Sequence, residues 1–99
     1  MKRELHITKS FKTDIKKLNK NDRQDTRNVV LKLQNDELLE ERFKDHALHG
    51  NYEGFRECHV HQDLLLVYKK TDTNHIYILS LLRINSHTNI FDISRSKTR

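Results

Sequence analysis

The spacing of hydrophobic and polar residues changes part-way along this chain. Apolar residues first recur every three to four positions, within residues 8–18 and again within 22–35, which is typical of amphipathic helices. Beyond Gly50 and Gly54 the apolar residues alternate with polar ones, which is typical of strands. The chain contains no proline, so these two glycines are its strongest turn signals. The pattern therefore predicts helices in the first half and strands in the second.

Four segments are predicted to be strands. One precedes the helices, at residues 2–7, and three follow the glycines, at residues 55–61, 64–68 and 75–83. A run of helices followed by a run of strands is typical of an α+β fold, here in the order β-α-α-β-β-β. We therefore expect the two N-terminal helices to pack on one face of a small, mainly antiparallel sheet. The other face, or its edge, is expected to be free for a ligand.

The length of the chain fits a single domain. Ninety-nine residues can bury a modest core but cannot support two separate cores. Only 34% of the residues are hydrophobic, but they are concentrated in dense runs, so we expect a folded protein and not a disordered one. We assign residues 1–91 to this domain. Residues 92–99 are assigned to a basic C-terminal tail, which we expect to be flexible.

The charge and the cysteine content narrow the class of protein. The formal net charge is +5, which favours a polyanionic partner such as RNA, DNA or an acidic protein segment. The single cysteine, Cys58, excludes an intramolecular disulfide and a cysteine-rich zinc site. No leader sequence and no apolar run of membrane-spanning length is visible. We therefore expect a soluble, cytoplasmic protein that does not associate with membranes.

Side chains suited to acid–base chemistry collect in three stretches, residues 44–50, 55–63 and 83–91. Cleavage of RNA without a metal needs a base to activate the 2′-OH, an acid to protonate the departing 5′-oxygen, and a cation near the phosphate. Histidine suits the first two roles near neutral pH, and His46, His59 and His87 are the candidates. Arg83 can supply the cation, and Asp63 can orient an imidazole or carry a proton. No cofactor is predicted.

Other interpretations of these residues stay open. His59 and His61 lie two positions apart on a strand and could form a metal-binding pair, but no third ligand stands at a standard spacing. Arg83 could instead form a structural ion pair with an acidic residue of a neighbouring strand. Phe91 could belong to the core. Cys58 falls on the apolar side of its strand and is interpreted as buried packing.

The three stretches also resemble a known family. They read Lys-Asp-His-x-Leu-x-Gly at 44–50, Arg-Glu-Cys-His at 56–59 and Arg-x-x-Ser-His-x-x-x-Phe at 83–91. In this order they resemble the YafQ branch of the RelE/ParE toxin superfamily, over about residues 1–91. The resemblance implies a RelE-like, microbial-RNase-like fold and a toxin of a type II toxin–antitoxin system.

The resemblance also implies an activity, partners and site residues. Toxins of this branch are endoribonucleases (mRNA interferases) that cleave mRNA in the ribosomal A site and inhibit translation. A cognate antitoxin of the DinJ/RelB type holds them inactive in a heteromeric complex. The toxin is connected to operator DNA only through this antitoxin. Catalysis is assigned by motif to His46, His59, Asp63 and His87. Contacts with RNA or its phosphates are assigned to Arg83 and Phe91 and to the neighbouring cations Lys44 and Arg56.

The sequence departs from the family pattern in three places. Leu64 follows Asp63 where many relatives carry an aromatic residue, so a ring that could stack on RNA is missing. Asn85 replaces a common glycine, and Tyr52 replaces a frequent tryptophan. Two other functions stay open: a non-catalytic, ParE-like gyrase inhibitor and a degenerate module that binds RNA or antitoxin. The three histidines together with Asp63 favour the ribonuclease, because a gyrase inhibitor needs none of them.

Overall fold

The computed structural model describes residues 2–91, and the predicted basic tail, 92–99, lies outside the described residues. In chain order, the helices and strands are β1 (Glu4–Ile7), α1 (Lys9–Lys16), α2 (Lys20–Gln34), β2 (His46–Ala47), β3 (Arg56–His61), β4 (Leu64–Thr73), β5 (Ile76–Asn85) and α3 (His87–Phe91). Two short 3₁₀ helices, Glu41–Phe43 and Gly50–Tyr52, lie on either side of β2.

The five strands form one sheet in the order β1-β5-β4-β3-β2. β1 pairs parallel with β5, and the remaining neighbours pair antiparallel. Two helices precede most of the sheet along the chain, so the predicted α+β fold with a mainly antiparallel sheet is confirmed. No helix within residues 2–91 is long and apolar enough to cross a membrane.

The β4–β5 hairpin is longer than the hydrophobic pattern predicted. The prediction ended the central strand at Tyr68, whereas β4 spans Leu64–Thr73. The polar residues after Tyr68 extend the strand because each of them pairs with a residue of β5. The turn residues Asn74 and His75 have φ values of 48° and 66°, which is the geometry of a tight two-residue hairpin.

Side-chain caps fix the starts of the two N-terminal helices. The Thr8 hydroxyl oxygen accepts a hydrogen bond from the backbone N–H of Phe11 at 3.0 Å. Asn19 Oδ1 accepts one from the backbone N–H of Asp22 at 2.8 Å, so α2 begins slightly earlier than predicted. The Thr8 hydroxyl also donates to the carbonyl oxygen of Leu82 at 2.7 Å. This bond ties the start of α1 to β5.

Apolar clusters cover both faces of the sheet. The larger cluster lies on the helix side and includes Phe11, Val29, Leu33, Leu66 and Ile84. The smaller cluster lies on the opposite face, because consecutive strand residues point in opposite directions, and it contains Leu65, Val67 and Ile90. The expectation of a free second face is therefore wrong in part. α3 and the loop before β3 pack onto that face and leave only grooves between them.

Candidate functional site

A groove of about 240 Å³ opens where β2, β3 and α3 meet. It is lined by His46, Leu48, His49, Tyr52, Glu57, His87 and Phe91. Three residues predicted from the sequence, His46, His87 and Phe91, therefore lie together although they come from opposite ends of the second half of the chain. This groove is the candidate active site.

A buried carboxylate that the sequence reasoning missed lies at the base of the groove. Glu57 Oε2 is 3.4 Å from Nε2 of His46 and 3.6 Å from Nε2 of His59. The Glu57 side chain is only 6% exposed, and the two imidazole ring centroids are 6.5 Å apart. A carboxylate between two imidazoles can orient both rings and stabilise whichever carries the positive charge. The alternation of β3 was the signal available, because it places Glu57 and His59 on one face.

The backbone before β2 fixes the orientation of His46. Lys44 has a φ of 48°, in the left-handed region, and its carbonyl oxygen lies 2.6 Å from Nδ1 of His46. Since a carbonyl oxygen can only accept, Nδ1 carries the proton of this hydrogen bond. Nε2, the other ring nitrogen, faces Glu57 Oε2 at 3.4 Å. Antiparallel pairing of His46 with Glu57 holds the two side chains next to each other.

Three rings from two elements form the other wall of the groove. The rings of His87 and Phe91, at the two ends of α3, have centroids 5.1 Å apart. Phe91 also contacts Tyr52 edge to face at 5.0 Å, which is a favourable aromatic geometry. Phe91 packs against the smaller apolar cluster as well, so it belongs both to the core and to the groove. His87 itself is exposed and free to meet a ligand.

Asp63 lies apart from this groove. It occupies the turn between β3 and β4 and is exposed. Among residues 2–91 it has no side-chain hydrogen bond or ion pair, and it does not line the groove with His46 and His87. Its role as the acidic partner of the histidines stays a prediction.

Arg83 forms a structural ion pair, which was one of the two interpretations of this residue. Its partner is in a helix and not in a neighbouring strand. Its Nε and Nη2 donate to the two carboxylate oxygens of Asp14 in α1, at 2.6 and 3.0 Å. These hydrogen bonds raise the pKa of the Arg83 guanidinium. The side chain is 32% exposed and lines a second, polar groove with Lys9, Lys17 and Asn89. The contact of Arg83 with phosphate stays a prediction.

The other two predicted cations have different surroundings. Arg56 is next to Glu57 in β3 and so points to the opposite face, where it pairs with Asp45 at 3.3 Å. The hydrogen bonds that Arg56 donates to the carboxylate of Asp45 raise the pKa of the Arg56 guanidinium. Lys44 is exposed and lines a groove that also includes His59. Arg56 is therefore not brought together with the imidazoles, whereas Lys44 is.

The interpretation of His59 and His61 as a metal-binding pair is wrong. The β3–β4 register shifts between these two residues, which breaks the simple alternation of the strand. His59 Nε2 lies near Glu57, whereas His61 Nε2 lies 2.8 Å from Asp25 and 3.3 Å from Asp22 of α2. The two imidazoles thus have different carboxylate partners in different parts of the fold.

Cys58 is confirmed as buried packing. It has no exposed surface and lies in the larger apolar cluster. Burial raises the pKa of its thiol to about 12, so the thiolate form is strongly disfavoured. Cys58 therefore cannot act as a nucleophile in this site.

Comparison with known proteins identifies the class to which the fold and the groove belong. Residues 3–92 match the family described as the bacterial toxin of type II toxin–antitoxin systems, YafQ. The chain belongs to this family. It is 39% identical over 49 residues to the mRNA interferase toxin YafQ of Escherichia coli strain K12, an alignment that covers 50% of this chain and 49% of that protein. The chain thus spans about half the length of the curated relatives it matches.

Solved structures are similar over nearly the whole chain. A copper-bound mutant toxin from Helicobacter pylori has 41% sequence identity and a TM-score of 0.81, with 92% of this chain and 100% of that chain covered. The toxin in the E. coli DinJ–YafQ toxin–antitoxin complex has 28% identity and a TM-score of 0.77, with 92% and 99% covered. The expected resemblance to YafQ toxins is therefore confirmed at the level of both sequence and fold.

Proposed function

We propose that this chain is a ribosome-dependent endoribonuclease that cleaves mRNA by metal-independent histidine acid–base catalysis. The observation that carries the proposal is the single groove that His46, His87 and the buried Glu57 line together, with Glu57 Oε2 3.4 Å from Nε2 of His46. The related E. coli protein is named an mRNA interferase toxin, which supports the same substrate class. The activity would inhibit translation, as the family membership implies.

The two walls of the groove suggest how the proton transfers are divided. His46 and His59 share Glu57, and His87 comes from α3 and lines the groove together with His46. Attack of a 2′-OH on the adjacent phosphate needs the base and the acid on opposite sides of the phosphorus atom. A phosphate bound in the groove would have one imidazole on each side. Typical acid–base catalysis of this kind contributes ~10²–10⁴-fold per group.

Ring stacking and positive charge would hold the RNA. Phe91 lines the groove next to His87 and offers an aromatic face to a base. The net charge of +5 favours binding of a polyanion, and Lys44 and Arg83 lie in grooves next to the site. We assign to them contacts with the RNA backbone on either side of the scissile phosphate.

The small size of the groove is the reason to expect dependence on the ribosome. A cavity of about 240 Å³ can hold little more than one nucleotide, so the chain itself makes few contacts that would orient an mRNA. A ribosome that presents a codon in a fixed geometry would remove this entropic cost. Asp63 lies in an exposed turn, where it could meet such a substrate.

A cognate antitoxin is the second partner that we propose. The structure of the related E. coli toxin with DinJ supports a heteromeric complex for this chain too. The exposed lysines and arginines would attract acidic antitoxin segments, which would neutralise part of the net charge of +5. Contact with operator DNA would then occur through the antitoxin.

The test is cleavage of a defined mRNA in a reconstituted translation system, with mapping of the new 5′ ends. We expect cuts at codon positions when ribosomes are present, little cleavage of the free RNA, and the same result with protein that was stripped of metal by EDTA and freed of the chelator before the assay. His87→Gln should lower the rate ~10²-fold or more. The matched control is His6→Gln, because His6 is an exposed histidine in β1, remote from the groove. Inhibition of gyrase supercoiling without any RNA cleavage would contradict the proposal.

A further inference from the structure

Asp14 is a buried carboxylate that no role in the groove explains. The residue is 4% exposed, although it lies in α1, a helix whose other polar residues face solvent. It accepts hydrogen bonds from Nε and Nη2 of Arg83 at 2.6 and 3.0 Å, from the backbone N–H of Ile84 at 3.1 Å and from Nδ2 of Asn85 at 3.1 Å. All the donors come from three consecutive residues at the end of β5.

Asn85 connects this carboxylate to the helix that carries His87. While its Nδ2 donates to Asp14, its Oδ1 accepts from the backbone N–H of Ser86 and from Nδ2 of Asn89, both at 2.8 Å. Ser86 Oγ accepts from the backbone N–H of Asn89 at 3.2 Å. The asparagine side chain therefore joins α1, the end of β5 and the first turn of α3 in one hydrogen-bonded network.

The position of α3 depends on such contacts because the helix is short. It has five residues, far fewer than a helix needs to be stable alone. Besides the Asn85 network, the helix is attached to the sheet by the buried side chain of Ile90 and by Phe91, which packs against the same apolar cluster. His87 is its first residue, one position beyond Ser86. A shift at the β5–α3 junction would therefore move the His87 imidazole relative to the groove.

We infer that Asp14 is a positioning residue, which places His87 over the groove by fixing the β5–α3 junction and holds Arg83 beside it. This inference rests on the proposed function. The fold does not need Asp14 to dock α1, because Phe11 is buried in the core and Thr8 bonds to the carbonyl of Leu82. A carboxylate accepting four hydrogen bonds instead fixes the geometry of its donors.

The direct test is Asp14→Asn in the full chain. Asparagine keeps the size and one acceptor oxygen, but its NH₂ group would face the donors of Arg83 or Asn85 and break the network. We expect the rate of mRNA cleavage on ribosomes carrying a defined A-site codon to fall on the order of 10–100-fold. The loss should include a fall in kcat, because the imidazole of His87 is displaced, in addition to any change in KM that the altered contacts of Arg83 cause.

A second readout separates positioning from a purely structural role. The NMR signals of the His87 ring should shift in Asp14→Asn. In the wild type this ring lies 5.1 Å from the Phe91 ring, measured between centroids, so a movement of His87 changes the ring-current effect of Phe91 on its signals. The ring signals of His46 and His59 should keep their wild-type positions. Asn85→Ala removes the connection but leaves the Asp14–Arg83 pair, and it should give the same His87 shift even if Asp14→Asn fails to fold.

The matched control is Asp36→Asn. Asp36 also pairs with an arginine at 2.7 Å, Arg3, but far from α3, and its φ of 57° suits asparagine. This variant should keep wild-type cleavage and wild-type His87 signals. The inference is overturned if Asp14→Asn and Asn85→Ala leave the His87 signals in place, whatever their activity. If the wild-type protein cleaves no mRNA, the proposed function fails while the His87 signals still test the positioning.

Discussion

Glu57 is a buried acidic residue of the candidate site and lies between two of its imidazoles. It is 5% exposed as a residue and lies within ion-pair distance of both His46 and His59. A charge this deeply buried is costly unless it is compensated, so its partners determine whether the fold tolerates it. Its nearest partners are the two imidazoles, one on β2 and one on β3, and an imidazole compensates the charge when it is protonated.

Replacement of Glu57 by glutamine should therefore lower activity more than stability. The amide keeps the volume of the side chain but removes the charge that orients and stabilises an imidazolium. We expect mRNA cleavage to fall on the order of 10–100-fold, by analogy with the loss of one electrostatic contact in a site. Glu53→Gln, in an exposed position, serves as the control. Wild-type cleavage by Glu57→Gln would contradict the proposed role.

The aromatic ring of Phe91 can be tested separately from its packing. Phe91→Leu keeps an apolar side chain against the smaller cluster but removes the face on which a base would stack. Base stacking is worth ~1–3 kcal/mol, so KM for the ribosome-bound message should rise about 5-fold or more with a smaller change in kcat. Tyr52→Phe preserves the ring contact with Phe91 and should behave as wild type. A fall in kcat alone would show that the ring positions His87 instead.

At the scale of the element, α3 is the part of the site that is least firmly attached to the rest of the fold. Its five residues are attached by Ile90, which is 8% exposed, by the partly buried Phe91 and by the Asn85 network. Ile90→Ala removes that anchor and should cost about 2 kcal/mol or more if the helix stays docked. We expect α3 to detach locally instead, with faster amide exchange in α3 only and a loss of cleavage larger than any fall in Tm predicts. Leu31→Ala, at a position 40% exposed, is the control.

The elements also show why the sequence predicted some features and not others. The amphipathic spacing of α1 and α2 and the alternation of β3 are local patterns, and they predicted these elements well. β2 has two residues and α3 has five, which is too short for any periodicity to be recognised. The irregular register after His59 turns His61 towards α2, and no pattern in the sequence predicts such a register shift.

The sequence predicted only part of the site, because it shows local motifs but not the contacts between distant segments. The motif stretches supplied His46, His59, His87 and Phe91, and the structure brings these residues to one groove or its edge. Glu57 shares a strand face with His59, but its pairing with His46 could not be predicted, because β2 is too short to be recognised from the sequence. Asp14 could not have been found, since it lies 69 positions before Arg83 and only the packing of α1 on β5 connects them.

At the scale of the whole molecule, two carboxylates link distant parts of the chain. Asp14 joins α1 to the end of β5, and Asp36 joins the end of α2 to Arg3 and Lys70. Burial alone would raise the pKa of Asp14, but its hydrogen bonds from Arg83, Ile84 and Asn85 outweigh burial and lower it. Hydrogen bonds from Arg3 and Lys70 lower the pKa of Asp36. Both groups therefore bind protons more weakly in the folded state than in the unfolded state.

The sign of the pH dependence follows from these lowered pKa values. A carboxyl group whose pKa is depressed by folding stabilises the protein above its ordinary pKa, and this contribution is lost as the pH falls through the folded value. The free energy of unfolding in urea should thus decrease as the pH falls from ~5 to ~2. Asp36 is 49% exposed and well screened by solvent, so we expect most of the effect to come from Asp14.

Asp14→Asn should be less stable than the wild type near neutral pH, and the difference should narrow on acidification, whereas Asp36→Asn should retain most of the wild-type slope. A gap between Asp14→Asn and wild type that stays constant from neutral to acidic pH would mean that the charge of Asp14 does not stabilise the fold, and that its hydrogen bonds act only on the geometry of the β5–α3 junction.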